Sequence, residues 1–229
     1  MGNLSEFLME ELNVATAFTI PIFGGIEVAE STVISWVIMA IIVILTLVLT
    51  RNMRVEKPGK LQVGVEYAVT ALQNLVRGII GHEGELYVPY LSTVLVFLGI
   101  SNIFAIFGMK PPTKDLNVTA ALALMSIILV QAASIRQNKV GGWLKGFTKP
   151  SKVITPLNVM ELAIRPLSLC MRLFGNVLGA FVVMKLLEHL VPVILPAVFS
   201  LYFDFFDGLL QAYVFVFLTG LYIKEAVEE

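Results

Sequence analysis

Ser168-Leu-Cys-Met-Arg172-Leu-Phe-Gly-Asn176 lies inside a long apolar run near the C-terminus. Arg172, flanked by Leu169, Met171, Leu173 and Phe174, stands where a lipid-spanning helix should carry no charge. Central placement of such a charge costs about 3 kcal/mol on insertion scales. The run that tolerates it decides the fold, and the charge within it points to the function.

Composition identifies the solvent of that run. Of 229 residues, 57% are hydrophobic and 14% charged, where a soluble domain carries roughly 25% charged residues. The expectation is an all-α integral membrane protein forming a single membrane domain over residues 1–229. A net charge of −1 gives no nucleic-acid signal, and the single cysteine, Cys170, excludes an internal disulfide and a multi-cysteine metal site within one chain. Cys170 reads as a small packing residue beside Arg172. No Lys or Arg precedes Arg51, so a cleaved signal peptide is not expected and the first apolar run reads as a retained span.

Outward from the arginine, apolar runs predict five spans over residues 31–50, 86–109, 116–135, 156–190 and 194–223. Pro192 and Pro196 separate the last two, which are long enough to require strong tilt. Residues 59–80 alternate apolar and polar positions at helical spacing and predict an amphipathic helix, lying on the cytoplasmic membrane surface or packed on the rest of the protein. Arg51, Arg54, Lys57 and Lys60 follow the first span, and Arg136, Lys139, Lys145, Lys149 and Lys152 follow the third. These clusters predict an N-terminus outside and a cytoplasmic C-terminus. His82 falls in a glycine-punctuated turn, where a hydrated loop residue is the plain reading and a proton relay the alternative.

Glu161, Arg165, Arg172 and Asn176 recur at four, seven and four residues and share one helix face. Asp204, Asp207 and Gln211, at i, i+3 and i+7, share another. A hairpin about Pro192 pairs Arg172 with Gln211 and Asn176 with Asp207. Two readings of Arg172 compete. One is a structural ion pair with an aspartate of the chain; the other is a fixed charge on an ion path. An arginine cannot relay protons at physiological pH, but it attracts a carboxylate of a moving partner and favours its ionised form. Arg165 and Lys185 read as cations snorkelling to interfaces.

Four segments carry a resemblance. Arg172-Leu-Phe-Gly-Asn176, Pro166-Leu-Ser-Leu, Pro112-Thr-Lys-Asp-Leu-Asn117-Val-Thr and Gln211-Ala-Tyr-Val-Phe-Val-Phe-Leu-Thr219 together resemble, in matching order, subunit a of the F-type ATP synthase membrane sector of bacterial type. The resemblance covers about the last two-thirds of the chain.

It implies an ion-translocating stator subunit in the inner (plasma) membrane, with two offset half-channels that couple flow of H+ or Na+ to rotation of a c-subunit ring. Implied partners are that ring, the b-subunit peripheral stalk, other ATP synthase subunits and the lipid bilayer. No cofactor and no catalytic residue are implied. Arg172 becomes the essential arginine facing the ring carboxylates, with Asn176 and Gln211 lining its surroundings. Many members carry a glutamate nine residues after the arginine and a histidine seven before the glutamine; Phe181 and Asp204 stand there in this chain. Asp204 and Asp207 are accordingly assigned to the outer half-channel, Glu161 to the inner one, and Asp115 and Asn117 to an outer vestibule. Thr113 and Asn117 read equally well as turn and helix-cap residues. The alternatives are a secondary transporter or stand-alone ion channel, against which the missing internal repeat argues, and a structural anchor. The chain has no Walker-type loop, Gly-x-Ser-x-Gly turn or His-Glu-x-x-His motif.

Overall fold

The structure is a computed structural model that describes residues 16–20, 26–55, 58–82, 84–104, 111–146, 154–190 and 199–228. A short antiparallel hairpin, β1 (Thr16–Ile20) and β2 (Ile26–Ala29), comes first and is an addition to the all-α expectation. It feeds directly into α1 (Glu30–Thr50), whose 21 residues give about 30 Å at 1.5 Å per residue. The hydroxyls of Thr46 and Thr50 donate to the carbonyls of Ile42 and Thr46 at 2.8 Å, so these polar groups are satisfied within the helix, as lipid requires. Val43, Ile44, Leu47 and Val48 point outward.

The amphipathic pattern forms α2 (Lys60–Ile80), which buries Val76, Ile79 and Ile80 at its C-terminal end. Gly81, at φ 79°, closes it by donating its N–H to the Arg77 carbonyl at 2.9 Å, a conformation that glycine adopts without a Cβ penalty. His82 is exposed in the turn that follows. A 3-10 turn, Glu85–Tyr87, leads into α3 (Val88–Ile103), with Pro89 in its first turn. Residues 105–110, and so the end of the second expected span, lie outside the described residues.

After a 3-10 turn at Pro112–Lys114 comes α4 (Leu116–Gly146), which begins where the third expected span begins and continues beyond residue 135. Arg136 continues the helix past the expected span. Lys139, at φ 56° and ψ 165°, divides α4 into two helices. Trp143 Nε1 donates to Gln131 Oε1 at 2.8 Å; twelve residues of straight helix would separate them by about 18 Å, so the second piece turns back beside the first.

α5 (Thr155–Leu190) contains Pro166. A π-helical stretch, Leu201–Asp207, then leads into α6 (Gly208–Glu228). Residues 191–198, including Pro192, Pro196 and the start of the fifth expected span, lie outside the described residues, and α6 continues five residues past its expected end.

The core joins Val76 and Ile80 of α2, Leu91 and Leu98 of α3, Ile127 and Val130 of α4, Leu169 and Leu173 of α5, and Phe215 and Val216 of α6. α6 lies at its centre, packing on α2, α3, α4 and α5. Among the described residues, five helices are long and apolar enough to cross a membrane: Glu30–Thr50, Glu85–Ile103, Leu116–Leu144, Thr155–Leu187 and Leu201–Val227. The chain is a multi-pass membrane protein.

Candidate functional site

Arg172 lies on a helix with two different sides. Leu169, Cys170 and Leu173 are buried, and Cys170 Sγ lies 3.6 Å from Thr119 Oγ1 of α4, which makes the cysteine the small packing residue its position suggests. Met171, Arg172, Gly175 and Asn176 are exposed. Among the described residues Arg172 forms no hydrogen bond or ion pair. A structural ion pair with Asp207 is therefore not made, although Asp207 lies on the neighbouring helix. Its carboxylate instead accepts from Gln211 Nε2 at 3.4 Å.

Arg165, by contrast, is paired: it forms a half-buried bridge between helices, with its two carboxylate partners exposed. Its Nη2 lies 3.0 Å from Glu161 Oε1 and 3.0 Å from Glu225 Oε1 of α6, while its guanidinium stands 4.9 Å from the Tyr222 ring. These contacts shift the hairpin register by about one to two turns. Counting equally along antiparallel helices, the Tyr222 contact brings Asn176 level with Gln211 and the Glu225 contact brings it level with Val214, so Arg172 stands between the levels of Phe215 and Leu218. Glu225, read from sequence as part of the tail, is thus a missed residue of the site. Its signal was an acid three residues after Tyr222, on a helix that does not stop there.

Glu161, Arg165 and Glu225 line a cleft of about 470 Å³ together with Gln131 and Asn138 of α4 and Asn158 of α5. This makes one polar end of the site.

The opposite end is built around the Pro112–Lys114 turn. Asn102 is buried at 3% exposure; its Nδ2 donates to the Gly208 carbonyl at 2.7 Å, and its Oδ1 accepts from Thr113 Oγ1 at 2.9 Å. Thr113 is therefore the turn residue of its second reading. Asp115, also 3% exposed, caps α4 by accepting the Asn117 N–H at 2.8 Å, while its other carboxylate oxygen accepts from the Ser31 hydroxyl of α1. The vestibule expectation for Asp115 thus meets a buried carboxylate with both oxygens engaged; Asn117 itself is exposed.

Lys114 Nζ lies 3.3 Å from the centroid of the Phe181 ring, and Lys185 Nζ 5.7 Å. Phe181 thus offers its ring to two lysine ammonium groups.

The backbone of Asp204 and Asp207 lies in the π-helical stretch Leu201–Asp207, whose i→i+5 bonding gives a wider turn than the α-helix assumed in their spacing. The side chain of Asp204 lies outside the described residues. Asn102 is a second residue that sequence reasoning missed; its signal was a lone amide in an uncharged span.

Along α5, Arg172 stands seven residues from Arg165 and nine from Phe181, or about 10 Å and 13 Å of helix rise. A fixed exposed charge thus lies midway between two polar ends. The family model described as ATP synthase A chain matches residues 32–224. The chain is 37% identical over 205 residues to ATP synthase subunit a of Moorella thermoacetica, covering 89% of this chain and 93% of that protein. It is 32% identical over 207 residues to ATP synthase subunit a 1 of Hahella chejuensis, covering 90% and 87%. It is 31% identical over 219 residues to the sodium ion specific ATP synthase subunit a of Propionigenium modestum, covering 89% and 75%. With the charged span and its two polar ends, these matches place the chain in the ATP synthase A chain family, that of the membrane-sector subunit a.

Proposed function

We propose that this chain is the ion-translocating stator subunit of a rotary ATP synthase, coupling flow of protons or sodium ions to rotation of a ring of c subunits. The observation that carries this reading is Arg172: exposed, unpaired among the described residues, and midway along a spanning helix whose other side is buried. Each carboxylate of the ring that reaches Arg172 is held ionised by the opposite charge. It takes its ion from one half-channel after leaving the arginine and loses it to the other before returning. Because an arginine keeps its proton, Arg172 also blocks a direct leak between the half-channels.

Asn176 of α5 and Gln211 of α6 orient the passing carboxylate. Asp204 and Asp207 supply the outer half-channel, with Asn117 at its mouth, and Asp115 fixes the start of α4 there. The cleft containing Glu161 is the inner half-channel. The basic clusters put that end in the cytoplasm, with the N-terminus outside and the last two helices tilted in the plasma membrane. The chain itself is non-catalytic: ATP chemistry belongs to other subunits, and peripheral-stalk b subunits hold the chain against the ring.

Reconstitution tests this reading. The purified chain alone in lipid vesicles is expected to pass neither protons nor sodium ions, and flux is expected once the c ring is added. Ion or solute flux through the chain alone would overturn it in favour of a stand-alone carrier or channel.

A further inference from the structure

Arg165 touches α6 at two points one turn apart. Nη2 bonds Glu225 Oε1 at 3.0 Å, and the guanidinium stands 4.9 Å from the Tyr222 ring. On its own helix the same Nη2 and Nε lie 3.0 Å and 3.3 Å from Glu161 Oε1, which holds the fork in place. The Arg165 side chain is 18% exposed and its two glutamate partners 49% exposed, so the constraint lies in the geometry of a sheltered guanidinium held at two points and not in exclusion of water. A planar fork engaged with a carboxylate and a ring tolerates little axial movement; sliding α6 by one residue, about 1.5 Å, disturbs both contacts.

Apolar packing sets this register weakly, because α5 packs mainly on α4 and much less on α6. Gly175 and Gly179, which lie beyond Arg172, have open space where a side chain would stand. Nothing at those two positions locks one helix to the other.

We infer that Arg165 is a positioning residue that fixes the axial register of α5 against α6, and thereby the height of Arg172 and Asn176 relative to Gln211. The inference rests on the proposed stator function. A ring carboxylate passing Arg172 pulls on α5, and the clamp seven residues away resists that pull. With the clamp broken, α5 and α6 slide, Arg172 no longer separates the half-channels, and ions leak past without turning the ring.

The test uses the whole ATP synthase in inverted membrane vesicles, with each signal normalised to assembled complex. Arg165→Gln is expected to lower ATP-driven ion pumping on the order of 10- to 100-fold, the scale of a small misplacement at a working site. Passive ion conductance of head-stripped vesicles is expected to rise several-fold relative to pumping. Glu225→Gln reproduces both changes, and Arg165→Lys, which keeps the charge but loses the fork, falls between. Unchanged pumping and conductance in Arg165→Gln would overturn the inference, as would a parallel fall of both signals. Failure of both Arg165→Gln and Glu225→Gln to assemble would also overturn it, since the pair would then serve folding and not alignment. Arg172→Ala in the same vesicles separates the two readings. Pumping lost there but normal in Arg165→Gln removes the clamp alone, whereas pumping retained in Arg172→Ala removes the stator reading beneath it.

Discussion

Asn102 Nδ2 donates a 2.7 Å hydrogen bond to the carbonyl of Gly208, 106 residues further along the chain. Gly208 is the residue at which the π-helical stretch gives way to α6, and a Cβ there would lie 2.8 Å from Asn102 Cβ. The amide and the bare backbone thus need each other for α3 and α6 to approach this closely. Asn102→Leu leaves the Thr113 hydroxyl and the extra bond to Gly208 without a partner, a loss of about 1–3 kcal/mol. Thermal unfolding of the purified complex checks this, with Gly208→Ala expected to shift the transition in the same direction.

Asp115 separates capping from ion chemistry. Asn caps a helix as well as Asp does, whereas Ala costs about 1 kcal/mol. Asp115→Asn is therefore expected to keep both stability and ion pumping, and Asp115→Ala to lose stability. Pumping lost in Asp115→Asn with stability intact would show that its charge is needed on the ion path.

The first three spans were legible because each is an uncharged run of the right length, and the last two because their few charges interrupt long apolar runs; residues 31–50 and α1 differ at a single terminal residue. What hid from sequence depended on contacts between distant residues. The second piece of α4 was hidden because nothing local to Lys139 announces the positive φ at which the helix turns back, a geometry fixed by the Trp143–Gln131 bond. The hairpin register was inferred from Pro192, but Arg165 sets it through Tyr222 and Glu225. Spacing rules assume 3.6 residues per turn, so the π-helical winding around Asp204 was invisible to them. Arg172, Asn176 and Gln211 stand out in the sequence because charge and amides in apolar runs are costly.

The helix that delivers the outer carboxylate can be tested by moving it. Asp204→Asn is expected to slow ion translocation. Phe181→Glu places an acid beside Lys114 and Lys185 and is expected to restore much of the loss in the double variant. An unchanged rate in Asp204→Asn would take that residue off the path.

Gly220 lets α2 dock: a Cβ there would stand 2.8 Å from Ile79 Cγ2 and 3.4 Å from Ile80 Cγ1. Ile79 is β-branched and stiff, so Gly220→Val is expected to push α2 away from α6 and cost about 1–3 kcal/mol by overpacking. Hydrogen exchange over Lys60–Ile80 is the measurement, with faster exchange at Val76–Ile80 the expected result.

The central claim concerns Arg172, and ion-driven ATP synthesis by membrane vesicles carrying Arg172→Ala tests it most directly. Synthesis is expected to vanish, while the catalytic head still hydrolyses ATP once released from the membrane sector. Coupled synthesis retained in that variant would contradict the account.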